Sequence, residues 1–351
     1  MKILLIKQTS LGDVIHSSLA VEATRAQYPD AEIHFMVDKS CKLAVEYNPH
    51  IDKLIVFDKV LISQKMKKSF LNIFSVMVQF MSSLREVRKE KYDLAIDLQG
   101  IERSIFFLYF CRAKEKFVKG KKPFLKGFKN ADKNDHAIAE LKGTLKLAGI
   151  DGEKYFPKIY LNEGGEEVLK KKLPEKLTKA LEDQDQQVIL MSPFTSWETK
   201  DYPVENYLRS AQMIAKDFPQ AQFIFVGTPD KKDLIDQQII DFKLDPDFAT
   251  NIWNLAGCTN IQELQELIRL ADLTIASEGA VGHIASALDR PVCVIFGPTQ
   301  PTRVGPWGNH SRVIRSQEAK CLACYQRHCD EWICMNKLED QISHAAKELL
   351  K

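Results

Sequence analysis

The loop from Gln8 to His16 follows the first apolar run of the chain and contains residue types suited to acid–base chemistry. Asp13 stands where a helix is expected to begin, near Val14, and free backbone N–H groups there favour an ionised carboxylate. Such a carboxylate can remove a proton from a bound hydroxyl group. Gly12 permits a tight turn, and Ser10 is predicted to reach the same bound molecule. The alternative is that Asp13 only caps the helix.

A second polar loop, residues 192–203, follows a later apolar run and combines hydroxyl groups with a lysine. Thr195, Ser196 and Lys200 offer hydrogen-bond donors and a positive charge, which suit a diphosphate. Pro203 is well placed for the first turn of the helix expected after it. A solvated loop that binds nothing is the alternative.

A third segment, residues 276–288, runs from a strand through small residues into a helix. Gly279 and Ala280 allow a ligand to approach the backbone, and the helix N-terminus offers N–H groups to phosphate. Glu278 is predicted to hold ribose hydroxyls. His283 is predicted to donate a further hydrogen bond, unless it only packs at an interface.

A rigid loop rich in Pro and Gly, residues 296–308, ends the next predicted strand and brings Thr299 beside the third segment. No Gly-x-Gly-x-x-Gly follows the first strand, and no Gly-x-x-x-x-Gly-Lys-Ser/Thr occurs in the chain. These absences argue against a nicotinamide oxidoreductase and against a P-loop enzyme.

Four cysteines lie close together near the end of the chain, at positions 321, 324, 329 and 334. The spacing of Cys321, Cys324, Cys329 and Cys334 suits a small structural knuckle that holds zinc or iron, with His328 as an alternative ligand. Free thiols in a reducing compartment are the alternative. No cofactor is expected for the chemistry itself.

Strand-like runs alternate with helix-like stretches along the chain, which predicts an α/β fold with parallel sheets. Residues 163–187 have little β character and separate two such series, so we predict domains over 1–165 and 186–336. Ligands of such sheets bind beyond the carboxyl ends of the strands, where the polar loops fall. The predicted strands are Lys2–Lys7, Glu32–Val37, Lys53–Asp58, Asp93–Leu98, Gln187–Ser192, Gln222–Gly227, Leu273–Ser277 and Pro291–Phe296.

The composition is that of a globular protein, with 351 residues of which 45% are hydrophobic and 27% charged. The 49 basic and 47 acidic residues leave a net charge of +2, so no overall field favours nucleic acid or an anionic membrane. No apolar stretch is long enough for a signal peptide or a membrane anchor, and we expect a cytoplasmic protein.

Two segments of the first domain suit a partner that is acidic or lipid-bearing. Arg112 to Lys129 carries eight basic residues and one acidic residue, and Lys121 and Lys122 lie within it. This patch suits an acceptor with carboxylates and phosphates, or is simply a solvated face. The helical pattern from Phe70 to Lys89 has an apolar stripe that fits core packing, with lipid contact as the alternative.

Taken in order, these segments resemble the bacterial lipopolysaccharide heptosyltransferases, glycosyltransferase family 9. The resemblance runs nearly end to end. The family's Asp-Thr/Ser-Gly before the histidine is Glu278-Gly279-Ala280 in this chain. The residues that carry the resemblance are Lys7 to His16, Asp97-Leu98-Gln99-Gly100 with Arg103-Ser104, Asp135-His136-Ala137, Thr195 to Pro203, Gly279 to Leu288, and Phe296-Gly297-Pro298-Thr299.

The resemblance implies a GT-B fold, in which two Rossmann-like domains face each other across a cleft. A C-terminal helix over 337–351 is then expected to pack back on the N-terminal domain. The implied activity is inverting, metal-independent transfer of heptose from ADP-L-glycero-D-manno-heptose to the inner core of lipopolysaccharide, on Kdo-lipid A or a heptosyl acceptor. A lipid-anchored acceptor implies peripheral contact with the cytoplasmic face of the inner membrane.

The resemblance also implies roles for individual residues. Asp13 falls on the position of the general base, and Lys200 on that of the lysine that binds donor phosphate. Another nucleotide sugar as donor, a nucleotide-sugar epimerase, and a non-catalytic paralogue that binds nucleotide sugars are the alternatives. The predicted donor-binding residues are Thr195, Ser196, Lys200, Glu278, Gly279, Ala280, His283 and Thr299, and the predicted acceptor-binding residues are Ser10, Gly12, Lys121 and Lys122.

Overall fold

The computed structural model describes residues 1–58, 73–120, 129–130 and 136–351, with side chains omitted at 73–77, 79, 129 and 130. The described chain divides into two compact units, Met1–Tyr160 and Leu161–Lys351. Residues 161–165, assigned to the first predicted domain, and residues 166–185, which separate the two predicted domains, belong to the second unit.

The first unit is built around a parallel sheet. Its described strands are β1 (Lys2–Ile6), β2 (Glu32–Asp38), β3 (Lys53–Phe57), β4 (Lys91–Asp97), β5 (Arg112–Val118) and β6 (Lys129–Asn130). Its described helices are α1 (Leu11–Gln27), α2 (Ile73–Lys89), α3 (Glu102–Phe110) and α4 (Ala137–Leu147). The strands lie in the order β3-β2-β1-β4-β5-β6.

The second unit repeats this arrangement. Its strands are β7 (Val188–Ser192), β8 (Gln222–Phe225), β9 (Ile252–Asn254), β10 (Leu273–Ser277), β11 (Val292–Phe296) and β12 (Ser311–Arg315). Its α-helices are α5 (Gly165–Lys170), α6 (Glu175–Glu182), α7 (Val204–Ala215), α8 (Lys232–Asp241), α9 (Pro246–Ala249), α10 (Ile261–Leu270), α11 (Ala280–Ala287), α12 (Pro301–Val304) and α13 (Glu339–Leu349). The strands lie in the order β12-β11-β10-β7-β8-β9.

Both sheets have the strand order of a doubly wound Rossmann fold. The order reverses between β1 and β4 in the first unit and between β7 and β10 in the second. Ligands of such sheets bind at the reversal, where the helices that follow neighbouring strands pass to opposite faces. The polar loops singled out from the sequence follow β1, β7 and β10, so they lie at these two points.

The second unit illustrates how these strands hold the fold together. Every residue of β7, β10 and β11 is buried, which is expected for parallel strands covered by helices on both faces. Burying one large apolar side chain of this kind contributes about 1.5–3 kcal/mol. The strands therefore form a rigid base for the loops at their ends.

The C-terminal helix α13 belongs to the second unit. Ile342, Ala345 and Ala346 are buried in the same core cluster as Tyr207 and Leu208 of α7. The buried face of this helix therefore packs against α7 of the second unit, and the expected contact with the N-terminal domain stays a prediction.

All eight strands predicted from the sequence are present, each within two residues of the predicted bounds. The sequence analysis missed β5, β6, β9 and β12. In β5 the reason is composition, because this strand alternates basic and other residues and only Phe117 and Val118 at its end are buried. The first part of the predicted basic patch is therefore a strand, and residues 121–128 of the patch lie outside the described residues.

Helix α2 corresponds to the amphipathic helix predicted from Phe70, whose first residues lie outside the described chain. Leu84 and Val87 are buried with Phe57 and Phe107, so this side of the helix packs into the core as expected. Within the described ranges, no helix is both long and apolar enough to cross a membrane.

The backbone conformation just after β4 requires a glycine at position 100. Its φ of +72° disfavours other residues, and a Cβ atom there would lie 2.4 Å from the carbonyl oxygen of Lys119. We expect Gly100→Ala to lower the free energy of unfolding by about 2–3 kcal/mol, measured by urea denaturation. Gly149→Ala is the matched control, because its φ is +77° but no atom lies within 4 Å. This control should cost only about 1 kcal/mol, and equal losses would contradict the steric argument.

Candidate active site

Helix α1 begins at Leu11, earlier than the start predicted near Val14. Ser10 is its N-cap and has an extended backbone, so the helix begins directly after the loop. Gly12 is therefore buried inside the first turn of the helix and does not lie in a tight turn before it. Ser10 is exposed at the surface, whereas Lys121 and Lys122 lie outside the described residues.

Asp13 makes two kinds of contact. The backbone N–H and the hydroxyl of Ser10 donate to its Oδ2 at 3.3 and 3.2 Å, so Asp13 caps the helix as the alternative interpretation proposed. It also lies 3.6 Å from Nζ of Lys7, at the end of β1. The Lys7 side chain is 3% exposed and that of Asp13 is 43% exposed. The contact with this buried lysine is an interaction that helix capping does not need.

The charges around this loop keep Asp13 ionised. Partial removal from water would raise the pKa of Asp13, but the charges of Lys7, His16 and Lys119 outweigh this effect and lower it to about 2. Burial lowers the pKa of Lys7, although the charge of Asp13 opposes this change. Asp13 is thus a carboxylate that faces solvent on one side and a buried ammonium on the other.

The loop after β4 supports the loop after β1. Oε1 of Gln99 accepts hydrogen bonds from the backbone N–H groups of Gln8 and Thr9, at 3.1 and 3.0 Å. Nε of Arg103 donates to Oε1 of Gln8 at 2.6 Å. These residues were recognised in the sequence only as part of the family pattern, because no local signal links residue 99 to residue 8.

The Asp97 side chain stabilises the loop after β4 by hydrogen bonds. It accepts hydrogen bonds from the Ser104 hydroxyl at 2.8 Å and from the backbone N–H groups of Gln99 and Gly100 at 2.8 and 3.1 Å. Burial raises the pKa of Asp97 to about 6, although these hydrogen bonds act in the opposite direction. The carboxyl group therefore holds the turn that presents Gln99 to the first loop.

In the second unit, three predicted donor-site residues meet. Nζ of Lys200 lies 2.9 Å from Oε2 of Glu278, and the side chains are 12% and 8% exposed. The hydroxyl of Thr299 donates to the same Oε2 at 2.8 Å. These residues follow β7, β10 and β11, which are neighbours in the sheet. Oε2 of Glu278, predicted to hold ribose hydroxyls, is thus engaged by Lys200 and Thr299.

The other predicted donor-site residues surround this cluster. The Thr195 hydroxyl accepts from the backbone N–H of Trp197 at 3.0 Å and donates to the Trp197 carbonyl at 2.9 Å, while Ser196 is exposed. Thr195 packs against Gly279, since a Cβ atom on that glycine would lie 3.6 Å from the Thr195 methyl carbon.

Gly279 is also the N-cap of α11. The helix starts at Ala280, and His283 is half-buried within its first turns. The N–H groups at the start of α11 therefore lie close to the end of β10, where an anion is favoured.

A cavity of about 590 Å³ opens beside this loop in the second unit. The residues that line it include Thr195, Ser196, Lys231 and Leu234. Its size is within the range of sites for small molecules. The loop of residues 192–203 therefore carries Lys200 of the ion-pair cluster and also borders a space large enough for part of a ligand.

The four clustered cysteines also lie in the second unit. Cys321, Cys324, Cys329 and Cys334 line one small cavity of about 30 Å³. All four are free thiols, and burial together with the other three sulfurs raises the pKa of Cys334 to about 11. Among the described residues, however, no three His, Cys, Asp or Glu side chains are arranged to hold a metal ion.

Comparison with known proteins gives this arrangement a family context. The family model described as "Glycosyltransferase family 9 (heptosyltransferase)" matches residues 80–333. "Lipopolysaccharide heptosyltransferase 1" of Campylobacter coli is 29% identical to this chain and is matched over 99% of each chain.

Solved structures agree with the fold. A glycosyl transferase family 9 protein from Veillonella parvula has a TM-score of 0.80 at 20% identity, covering 99% of this chain and 97% of that one. Heptosyltransferase WaaC of E. coli, solved with ADP, has a TM-score of 0.71 at 16% identity, covering 99% and 100%. These matches confirm the predicted GT-B class, with two Rossmann-like parallel-sheet domains.

The Lys200–Glu278 pair makes a testable contribution to stability. Glu278→Gln leaves the Lys200 ammonium, which is 12% exposed, without its carboxylate partner. We expect a loss of about 1–3 kcal/mol in the free energy of unfolding by urea denaturation. Glu205→Gln is the control, because its pair with Arg209 is more than half exposed and should contribute less than about 0.5 kcal/mol. Equal effects of the two variants would show that the Lys200 pair is not stabilising.

Proposed function

Because the chain belongs to glycosyltransferase family 9, the heptosyltransferases, we propose that it transfers heptose from ADP-L-glycero-D-manno-heptose to the inner core of lipopolysaccharide. The observation that carries this proposal is the convergence of Lys200, Glu278 and Thr299 at the carboxyl ends of neighbouring strands. Cationic and hydroxyl groups at the end of a parallel sheet, next to a helix N-terminus, suit a sugar diphosphate.

The donor is proposed to bind in the second unit. WaaC of E. coli, which has the same fold, has been solved with ADP, and this supports an adenine nucleotide as the donor's carrier. Lys200 holds the diphosphate, and Thr195 and Ser196 border its path. His283 and the first N–H groups of α11 add further donors, so that cationic and dipolar groups of the protein take the part of a divalent metal.

Asp13 is proposed as the general base, supplied by the first unit. It removes the proton of the acceptor hydroxyl as that oxygen attacks the anomeric carbon, while the bond from this carbon to the diphosphate oxygen breaks. A single displacement of this kind inverts the configuration at the anomeric carbon. Lys200, His283 and the start of α11 stabilise the charge that develops on the departing diphosphate.

The acceptor is proposed to be a lipid-anchored inner-core sugar, either Kdo-lipid A or a heptosylated form. A lipid-anchored acceptor requires the enzyme to work at a membrane surface, which we assign to the cytoplasmic face of the inner membrane. Ser10, which is exposed at the N-terminus of α1 and hydrogen-bonded to Asp13, is proposed to contact the acceptor. Lys121 and Lys122 are proposed to bind the anionic groups of the acceptor.

The base assignment predicts a selective loss of turnover. We expect Asp13→Asn to lower kcat by about 10²–10⁴-fold, because the carboxylate that accepts the proton is removed. The ADP dissociation constant should stay unchanged, since Asp13 is not among the residues proposed to bind the donor. Asp30→Asn, which changes an exposed carboxylate just after α1, is the control. Near-normal turnover in Asp13→Asn would show that Asp13 is not the general base.

Donor identity is tested by calorimetric titration with ADP, UDP, GDP and NAD. We expect selective binding of ADP, with affinity at least tenfold lower in Lys200→Met because a charge-assisted contact to phosphate is lost. Lys216→Met, at an exposed lysine in the same unit, should bind ADP normally.

The other outcomes separate the alternatives. A preference for UDP or GDP would indicate another nucleotide sugar, and binding without turnover would indicate a non-catalytic paralogue. Binding of NAD, or no nucleotide binding at all, would overturn the donor-site assignment.

A further inference from the structure

We propose that Lys7 is a positioning residue, which anchors one oxygen of Asp13 and keeps the carboxylate ionised so that its other oxygen receives the acceptor's proton. This inference rests on the proposed role of Asp13 as the base. It adds a residue that lies behind the base and does not touch the substrate.

The contacts of Asp13 distinguish its two carboxylate oxygens. Nζ of Lys7, the Ser10 backbone N–H and the Ser10 hydroxyl all approach Oδ2, at 3.6, 3.3 and 3.2 Å. Among the described residues, the polar contacts of Asp13 all reach this oxygen. Oδ1 is therefore the oxygen left to accept a hydrogen bond from a bound hydroxyl.

Lys7 lies at the carboxyl end of the central strand β1, and its side chain has little conformational freedom. Its backbone N–H donates to the Met36 carbonyl at 3.0 Å, which continues the pairing of β1 with β2. Its side chain is 3% exposed, so the ammonium cannot reach bulk water as surface lysines do. In the part of the chain that the structure describes, Asp13 is the carboxylate within 4 Å of this ammonium. An ammonium held in this way fixes Oδ2 more firmly than the Ser10 contacts alone.

The charged groups around this pair determine how strongly Lys7 acts on Asp13. Lys119, just after β5, also favours ionised Asp13, but its own ammonium is 2.8 Å from Glu140 on α4 and is largely neutralised there. His16, on α1, acts in the same direction. Asp97, at the end of β4, adds a negative charge that favours the protonated form of Lys7. Lys7 is therefore the main cation acting on the base.

Asp97 also makes the proton transfer easier to accommodate. When Asp13 takes up the acceptor's proton, the buried ammonium of Lys7 loses its ionised partner, which is costly in a poorly solvated site. The nearby charge of Asp97 continues to balance it. Lys7 can thus stay charged through the transfer and hold the carboxyl group in place.

The sign of the pH effect follows from the removal of one positive charge. Without Lys7 the pKa of Asp13 rises, so a smaller fraction of the base is ionised on the acid side. The acid limb of kcat/KM reports the base in the free enzyme. A residue that only supported the fold would change stability but would leave this limb where it is.

The experiment compares Lys7→Met, Lys7→Arg and Lys39→Met over pH 2–9, a range that includes the Asp13 pKa of about 2. We expect the acid limb of kcat/KM to move up by at least one pH unit in Lys7→Met and kcat at pH 7.5 to fall at least tenfold, with the ADP dissociation constant unchanged. Lys7→Arg retains the charge and should keep the acid limb of the parent protein. Lys39 is the matched control, because its side chain is 70% exposed and pairs with Asp58.

An unmoved acid limb in Lys7→Met, with kcat within twofold of the parent, would overturn the proposal. If this variant does not fold, Lys7→Gln takes its place, because glutamine retains a hydrogen-bond donor without the charge. The acid limb of kcat/KM is measured for it in the same way. Asp13→Asn is assayed in parallel. Retained turnover in Asp13→Asn would reject the proposed base itself, whereas its loss together with normal behaviour of the Lys7 variants would reject only the role of Lys7.

Discussion

Parallel strand pairing determines where every residue of the candidate site lies. Loops that follow neighbouring parallel strands open at the same edge of the sheet. Ile6 of β1 pairs with Asp97 of β4, so the loops that carry Asp13 and Gln99 leave the sheet side by side. In the second unit β10 pairs with both β7 and β11, which brings Lys200, Glu278 and Thr299 within contact of one another. A shift in register would separate these side chains without changing any loop sequence.

The two units use a lysine–carboxylate pair in different ways. In the first, the lysine is buried and the carboxylate of Asp13 is partly exposed, so the anion can meet a substrate while the cation remains inside. In the second, Lys200 and Glu278 are both largely buried, and neither charge faces water openly. Withdrawing charges from water costs free energy that only close pairing offsets. The first pair suits proton transfer, and the second suits a site that a charged ligand enters.

The sequence predicted the framework well, because apolar strands bounded by polar loops are a strong local signal. It also identified Asp13, Lys200 and Glu278 as residues of strand-end loops. It could not show that Glu278 contacts Lys200, because 78 positions separate them and only the strand order brings them together. Strand β5 was missed because five of its seven residues are exposed or only partly buried, which removes the apolar signal. The sequence analysis recognised Gln99 and Lys7 only as part of the family pattern, since their contacts depend on how the strands pair in the sheet.

Glu278 determines how the candidate donor site is charged, because it pairs with Lys200. Glu278 and Lys200 form a neutral pair, so Lys200 alone offers a diphosphate less attraction than a free ammonium would. An ammonium has three N–H donors, and engagement with one carboxylate leaves others for phosphate oxygens. Thr299 also donates to Oε2 of Glu278, so this oxygen is shared between the lysine and the hydroxyl. The N-terminus of α11, directly after Gly279, adds positive potential without a further side chain. The arrangement therefore favours a ligand that contacts Lys200 and the helix start together, as the two phosphates of a nucleoside diphosphate sugar do.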